Sequence, residues 1–178
     1  MKRNEGLSLI ELVVVIAIMT VLISVVGISI TVISRQKVSN AVEDVKVLFQ
    51  TAQTIAMSKD NCHIAIDRGA DGETVFTLYS ADNVVLNRVT VNKKVSVYII
   101  TGDPDHPYSL ADKKVVRIYY DRVSGAFGKM YERGSATLNG LTGKGSEIPG
   151  GITGIKFSND STSEITLKLT KLTGRVSY

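Results

Sequence analysis

Four places in the chain gather residue types able to do chemistry. Glu11 is the only charged residue in the apolar run 7–33. Cys62 and His63 stand side by side and could in principle supply a nucleophile and its base. Asp103, Asp105 and His106 lie within four residues of the stretch Asp103-Pro104-Asp105-His106-Pro107, and Asp67, Asp71 and Glu73 cluster around Gly69 and Gly72, so either group could offer oxygen or nitrogen ligands to a metal. Most of these possibilities weaken on inspection. Neighbours along a strand point to opposite faces, so Cys62 and His63 are poorly placed to act as a pair. The prolines explain 103–107 as a rigid exposed loop that would need further ligands from elsewhere. The spacing of Asp67, Asp71 and Glu73 does not match an EF-hand loop, and a solvated hairpin turn accounts for it. No zinc-ligand set or phosphate-cradling glycine motif is present, so no catalytic residue, cofactor or metal is expected. Glu11 is different, because a carboxylate inside a bilayer costs on the order of 2.5–3.5 kcal/mol. Either it stays wet at the headgroup level, or it meets a cation in a dry place.

The elements that would position these residues are bounded by the totals. The 178 residues suit one soluble domain with a real core plus an anchor. Lys and Arg number 21 against 17 Asp and Glu, a net charge of +4, and the charges are scattered along the chain. No basic aromatic patch marks a nucleic-acid surface, and no direct nucleic-acid partner is expected. A lone cysteine forms no intramolecular disulfide, so the fold rests on its core, with Cys62 as a small buried apolar residue.

As a helix, residues 7–33 would reach roughly 40 Å, enough to cross a bilayer. The run is too long for the apolar region of an ordinary secretory signal. Ser34-Arg35-Gln36-Lys37 follows it in place of a small-residue cleavage site. Lys2 and Arg3 ahead of it favour a cytoplasmic N-terminus with the rest outside, although Arg35 and Lys37 blur that asymmetry.

The stretch Gly6-Leu7-Ser8-Leu9-Ile10-Glu11-Leu12, behind a short basic leader and ahead of an unbroken apolar run, resembles the class III signal of type IV pilins and pseudopilins. That resemblance implies cleavage between Gly6 and Leu7 by a prepilin peptidase, N-methylation of Leu7, and a role for Glu11 in assembly. Gly6 adds no side chain where a peptidase must approach the backbone closely. The amine freed at Leu7, largely protonated near neutral pH with a reference pKa of about 7.7–8.0, is the cation that Glu11 of a neighbouring subunit would meet. Leu7 stands where phenylalanine is more usual in the family, and the apolar helix lacks the proline many pilins carry near Ile28. The implied partners are the peptidase and methylase, other pilins or pseudopilins in a helical filament, an assembly platform protein and the membrane.

Beyond residue 33, Val38, Ala41, Val42, Val45, Leu48, Phe49, Ala52, Ile55 and Ala56 recur at three- and four-residue steps, an apolar stripe on a helix that predicts docking onto a sheet. Without Pro or Gly between residues 34 and 59, one helix is expected to run to about Ser58. Short strands then follow at 62–66, 74–79, 84–91, 95–100, 114–120, 127–131, 152–157, 164–172 and 174–178, with a glycine-rich surface loop at 134–151. The expected fold class is α+β: a long N-terminal helix, half membrane and half amphipathic, packed on an antiparallel sheet or two-sheet head. The organisation is leader 1–6, membrane and filament-core helix 7–33, amphipathic half 34–60 and β-rich extracellular head 61–178. A helix ending in a polar turn that runs into a strand, with a closing hairpin turning at Gly174, is similar to GspH/FimT-type minor pseudopilins.

The function these resemblances imply is that of a structural subunit, minor pilin or pseudopilin, of a type IV pilus-like filament, and not an enzyme. A major pilin is the alternative within the class. Outside it, the alternative is a single-pass anchored binding or enzymatic domain that never assembles. Pili, type II secretion and DNA uptake share such a leader, so the filament system stays open.

Overall fold

The computed structural model describes residues 8–58, 60–69, 71–102, 108–109, 114–134, 146–148, 150–159 and 163–177, with the backbone alone at 25–34, 108–109, 114 and 132–134. The first element is a single helix, α1 (Leu9–Met57), of 49 residues. No proline interrupts its hydrogen-bond ladder. It stops at Ser58, whose backbone N–H bonds back to Thr54 and Ile55 carbonyls.

Among the described residues eleven strands follow. The first three, β1 (Cys62–Arg68), β2 (Thr74–Ser80) and β3 (Val85–Val91), join β6 (Lys114–Tyr120), β7 (Phe127–Gly134) and β8 (Ser146–Glu147) in a six-stranded sheet of order β3-β2-β1-β6-β7-β8. The second sheet has the order β11-β10-β9-β4-β5, built from β4 (Ser96–Thr101), β5 (Tyr108–Ser109), β9 (Ile152–Asn159), β10 (Ser163–Thr170) and β11 (Arg175–Ser177). The recorded pairings in both are antiparallel. The chain visits each sheet twice, so neither can form without the other's strands being threaded between its halves. That interleaving makes the head one folding unit.

The apolar stripe read from the sequence is the side of α1 that docks. Val38, Val42, Val45, Leu48, Phe49, Ala52 and Ala56 are buried, with Ala41 and Ile55 partly covered. They pack on Cys62, Ile64, Ile66, Phe76, Leu78, Val116 and Ile118 of the first sheet and on Val97, Ile99, Ile155, Phe157, Leu167 and Leu169 of the second, forming one core. Aromatic contacts bind the layers. Phe76 meets Phe157 across the two sheets at 6.2 Å between ring centroids, and Phe49 meets Phe127 edge-on at 6.1 Å. The Tyr120 hydroxyl donates to the Phe49 carbonyl at 3.1 Å, so this buried polar group is satisfied by the helix itself.

Two short strands lie where the pattern predicts loops. β5 pairs with β4 through Tyr98↔Ser109 and Ile99↔Tyr108. At the end of the glycine-rich stretch, Ser146 and Glu147 pair with β7, and Ile148 is buried with its N–H on the Met130 carbonyl at 3.0 Å. The expectation of a surface loop over 134–151 is therefore corrected at its C-terminal end. Two-residue pairings are too short to produce an alternation that a sequence pattern can register.

The other face of the first sheet carries a polar and aromatic layer. His63 is buried and lies opposite both Tyr79 and Tyr119 in register, its ring stacked between theirs at 5.1 and 5.0 Å. Arg117 lies opposite Ala65 and Tyr131, also buried. Burial, with the Arg117 charge in support, lowers the His63 pKa to about 4. The unfolded chain therefore takes up a proton near pH 6.5 that the fold refuses. Stability from this group is complete above that pH and is lost as pH falls toward 4, by up to about 3 kcal/mol. Burial raises the Asp67 pKa on the same face, which works in the opposite sense and offsets part of the loss at the acid end. Denaturant unfolding of the full chain in detergent at a series of pH values should show this acid limb, and His63→Phe, which keeps the stacked ring, should flatten it. An unchanged limb in the variant would assign it to other groups.

At the end of the head, Gly174 turns the β10–β11 hairpin at φ +64, and a Cβ there would collide with the Gly125 carbonyl. Gly72 has a similar φ of +81 but open space around it. Gly72→Ala is expected to cost about 1 kcal/mol, the strain of the left-handed backbone alone. Gly174→Ala should cost at least about 3 kcal/mol, because two turns must separate. Thermal unfolding of the two variants side by side reads the difference.

Candidate functional site

The start of α1 is built from local chemistry. Ser8 is the N-cap, with φ −63 and ψ 146, and its Oγ accepts from the Ile10 N–H at 3.3 Å. Glu11 reaches back, its Oε2 accepting from the Ser8 N–H at 2.9 Å, which completes a capping box. The carboxylate therefore sits against the positive end of the helix dipole, in the first turn, where negative charge is favoured. Ser8 is the functional residue that the sequence analysis missed. Its signal was present as Ser-x-x-Glu directly ahead of an apolar run. Gly6 and Leu7, the expected cleavage pair, lie outside the described residues.

From Leu9 to Ser24 no side chain is buried; the apolar ones point out on all sides, as with Leu9, Ile10, Val21 and Ile23. The two hydroxyls satisfy themselves within the helix, Thr20 Oγ1 on the Ala17 carbonyl and Ser24 Oγ on the Thr20 carbonyl, both at 2.8 Å. Such back-bonding leaves no donor that needs water. Among the described residues no helix is long and apolar enough to cross a membrane, since the side chains described in this stretch end at Ser24. The remainder of the expected span, 25–33, has only its helical backbone described.

The other candidates are placed as follows. Cys62 and His63 do face opposite sides of β1: the thiol donates to the Ala52 carbonyl of α1 at 3.2 Å, while His63 is in the tyrosine stack. Burial raises the Cys62 pKa to about 11, so the thiol stays protonated and packs as an apolar residue. The region around Asp71 is a hairpin turn closed by backbone bonds, Gly69 N–H to the Glu73 carbonyl at 2.7 Å and Gly72 N–H to the Gly69 carbonyl at 3.0 Å. Among the described residues no three His, Cys, Asp or Glu side chains converge as metal ligands. Asp103, Asp105 and His106 lie outside the described residues. A shallow cavity of about 220 Å³ lies against Gly128, Met130, Gly150 and Gly151, where Lys129 pairs with Glu147 at 3.4 Å. It is below the size of ordinary small-molecule sites.

The site with a defined architecture is thus the capped N-terminus of an apolar helix whose far half is rigidly docked to a β head. Comparison with known proteins bears on this end of the chain. No curated protein and no solved structure matched the chain. Residues 1–27 match the family described as the prokaryotic N-terminal methylation motif. The chain therefore begins with the leader and first helical turns characteristic of type IV pilins and pseudopilins.

Proposed function

We propose that this protein is a structural subunit, minor pilin or pseudopilin, of a type IV pilus-like filament, with no catalytic step of its own. The methylation motif at residues 1–27 carries this reading. Support comes from α1, which continues without a break from an exposed apolar half into a half docked on the head. In this reading the subunit waits in the cytoplasmic membrane with its N-terminus inside and its head outside. Prepilin peptidase cuts between Gly6 and Leu7, Leu7 is N-methylated, and residues 7–33 pass from lipid into the filament core.

Head-to-tail packing of such helices makes an open helical array. Glu11 supplies its selectivity. In the isolated subunit the carboxylate has only its own helix end for compensation, whereas beside a neighbour it meets the protonated amine of that subunit's Leu7. The difference between the two states is what drives docking. The minor, GspH/FimT-like assignment draws on the direct run of α1 into β1 and on the closing β10–β11 hairpin at Gly174.

Mass analysis of the N-terminal peptide from the native membrane fraction should find a chain beginning at Leu7 with one added methyl group. An intact Met1 in cells with active prepilin peptidase would overturn the proposal. Glu11→Gln gives a second test, because its amide oxygen can still accept from the Ser8 N–H and keep the cap. Membrane insertion should be retained, while incorporation into sheared filaments should fall at least about tenfold, the effect of losing 1.4 kcal/mol. Normal incorporation would remove Glu11 from assembly.

A further inference from the structure

The outer face of the first sheet, turned away from α1, is crossed by a row of side chains that register sets side by side. Arg88 lies opposite Thr77, Thr77 opposite Ala65, and Ala65 opposite Arg117. A cation therefore stands at each end of a short lane of small side chains. At about 4.8 Å between strands the two arginine Cα atoms are roughly 14 Å apart, a gap that two arginine side chains are long enough to span. Arg88 is exposed, whereas Arg117 is only 4% exposed. Among the described residues neither forms an ion pair, and Nε and Nη2 of Arg117 are buried without a hydrogen-bond partner. Those two atoms form one edge of the guanidinium, the edge that receives both oxygens of a carboxylate. The stacked rings of Tyr79, His63 and Tyr119 make the adjoining row, and Tyr119 meets Tyr131 edge-on at 5.6 Å. His63 Nε2 is likewise buried and unbonded. Two described acids share this face and neither pairs with Arg117. Burial pushes the Asp67 carboxyl toward its neutral form, and Glu147, beyond Tyr131, is paired with Lys129 at 3.4 Å.

We propose that Arg117 and Arg88 form a receptor for a small free carboxylate, which takes the open edge of Arg117 while Arg88 closes over it from the mouth and the aromatic row lies against its carbon body. A guanidinium taken out of water without an acceptor is strongly unfavourable. An anion supplied from outside removes that cost. The vacant edge offers two coplanar donors, which match a planar carboxylate; the further oxygens of a phosphate would face neutral rings. Arg117 lies too deep for a side chain projecting from a folded partner. Its neighbours along β6, Val115 and Tyr119, are only half-buried, so the shift that admits a molecule of a few atoms is small. This inference stands on the head alone and is independent of leader cleavage or filament assembly.

The test is thermal unfolding of the full chain in detergent near neutral pH, titrated with sodium acetate. Sodium chloride at matched ionic strength and acetamide, the neutral isostere, serve as controls. Acetate should raise the midpoint saturably, with half-saturation at about 10 mM or below, and by about 3–6 °C at ten times that concentration. Chloride and acetamide should not, and inorganic phosphate should act more weakly. Arg88→Gln, at an exposed position, should leave the midpoint without acetate unchanged and raise the half-saturating concentration about threefold or more. Arg117→Lys keeps the charge without the fork and should weaken binding about tenfold. Arg117→Met should abolish the response and, because it removes an unpaired buried charge, melt no lower than the natural chain without acetate. Asp67→Asn should leave the response in place. Acetate no more effective than chloride, or a response that survives Arg117→Met, would overturn the proposal. So would a response lost in Asp67→Asn, which would make Asp67 the counter-charge of Arg117, or a fall in the Arg117→Met midpoint, which would return Arg117 to a structural role. Phosphate equal to acetate would overturn the carboxylate assignment.

Discussion

The structure depends on one stripe of side chains, Val38 to Ala56 along α1, whose burial against both sheets closes the core of the head. The sheets are threaded through each other, and strands of both meet the same helix face. Removing that face would leave Ile64, Phe76, Ile155 and Phe157 without a common partner. The helix is therefore a core element of the head as well as its stalk. Any force on the N-terminal half is delivered along an unbroken hydrogen-bonded rod into the densest part of the fold.

The same helix must satisfy two surroundings. From Leu12 to Ser24 it is apolar all round, with hydroxyls bonded back to their own helix, which suits lipid or the interior of a helical bundle. Past residue 34 one side becomes polar while the other stays apolar, and the polar side faces water. The capping box at Ser8 and Glu11 completes the rod at its free end by pairing donors that no preceding turn can satisfy.

The head divides its polar groups unevenly. Facing the helix, the first sheet is apolar, and the Cys62 thiol and Tyr120 hydroxyl bond to α1 carbonyls. Its other face buries His63 and Arg117 among tyrosines, and among the described residues Nε and Nη2 of Arg117 and Nε2 of His63 have no hydrogen-bond partner. Such groups are costly, and keeping His63 neutral is how the fold limits the cost above mildly acidic pH.

Much of this was legible in the chain itself. The leader, the extent of the helix, its buried stripe and most strand positions follow from local rules: charge in an apolar run, periods of 3.6 and 2, and turn residues. Each depends only on neighbours in sequence, so residues such as Val45 and Gly174 announce their roles. What local pattern could not contain was pairing. That β1 lies between β2 and β6, that two-residue strands at Tyr108 and Ser146 extend the sheets, and that His63 is sandwiched by tyrosines from both neighbours are matters of register between distant segments. Which strands associate is decided by the burial of whole faces at once, a property of the assembled core to which no single stretch of sequence is sensitive.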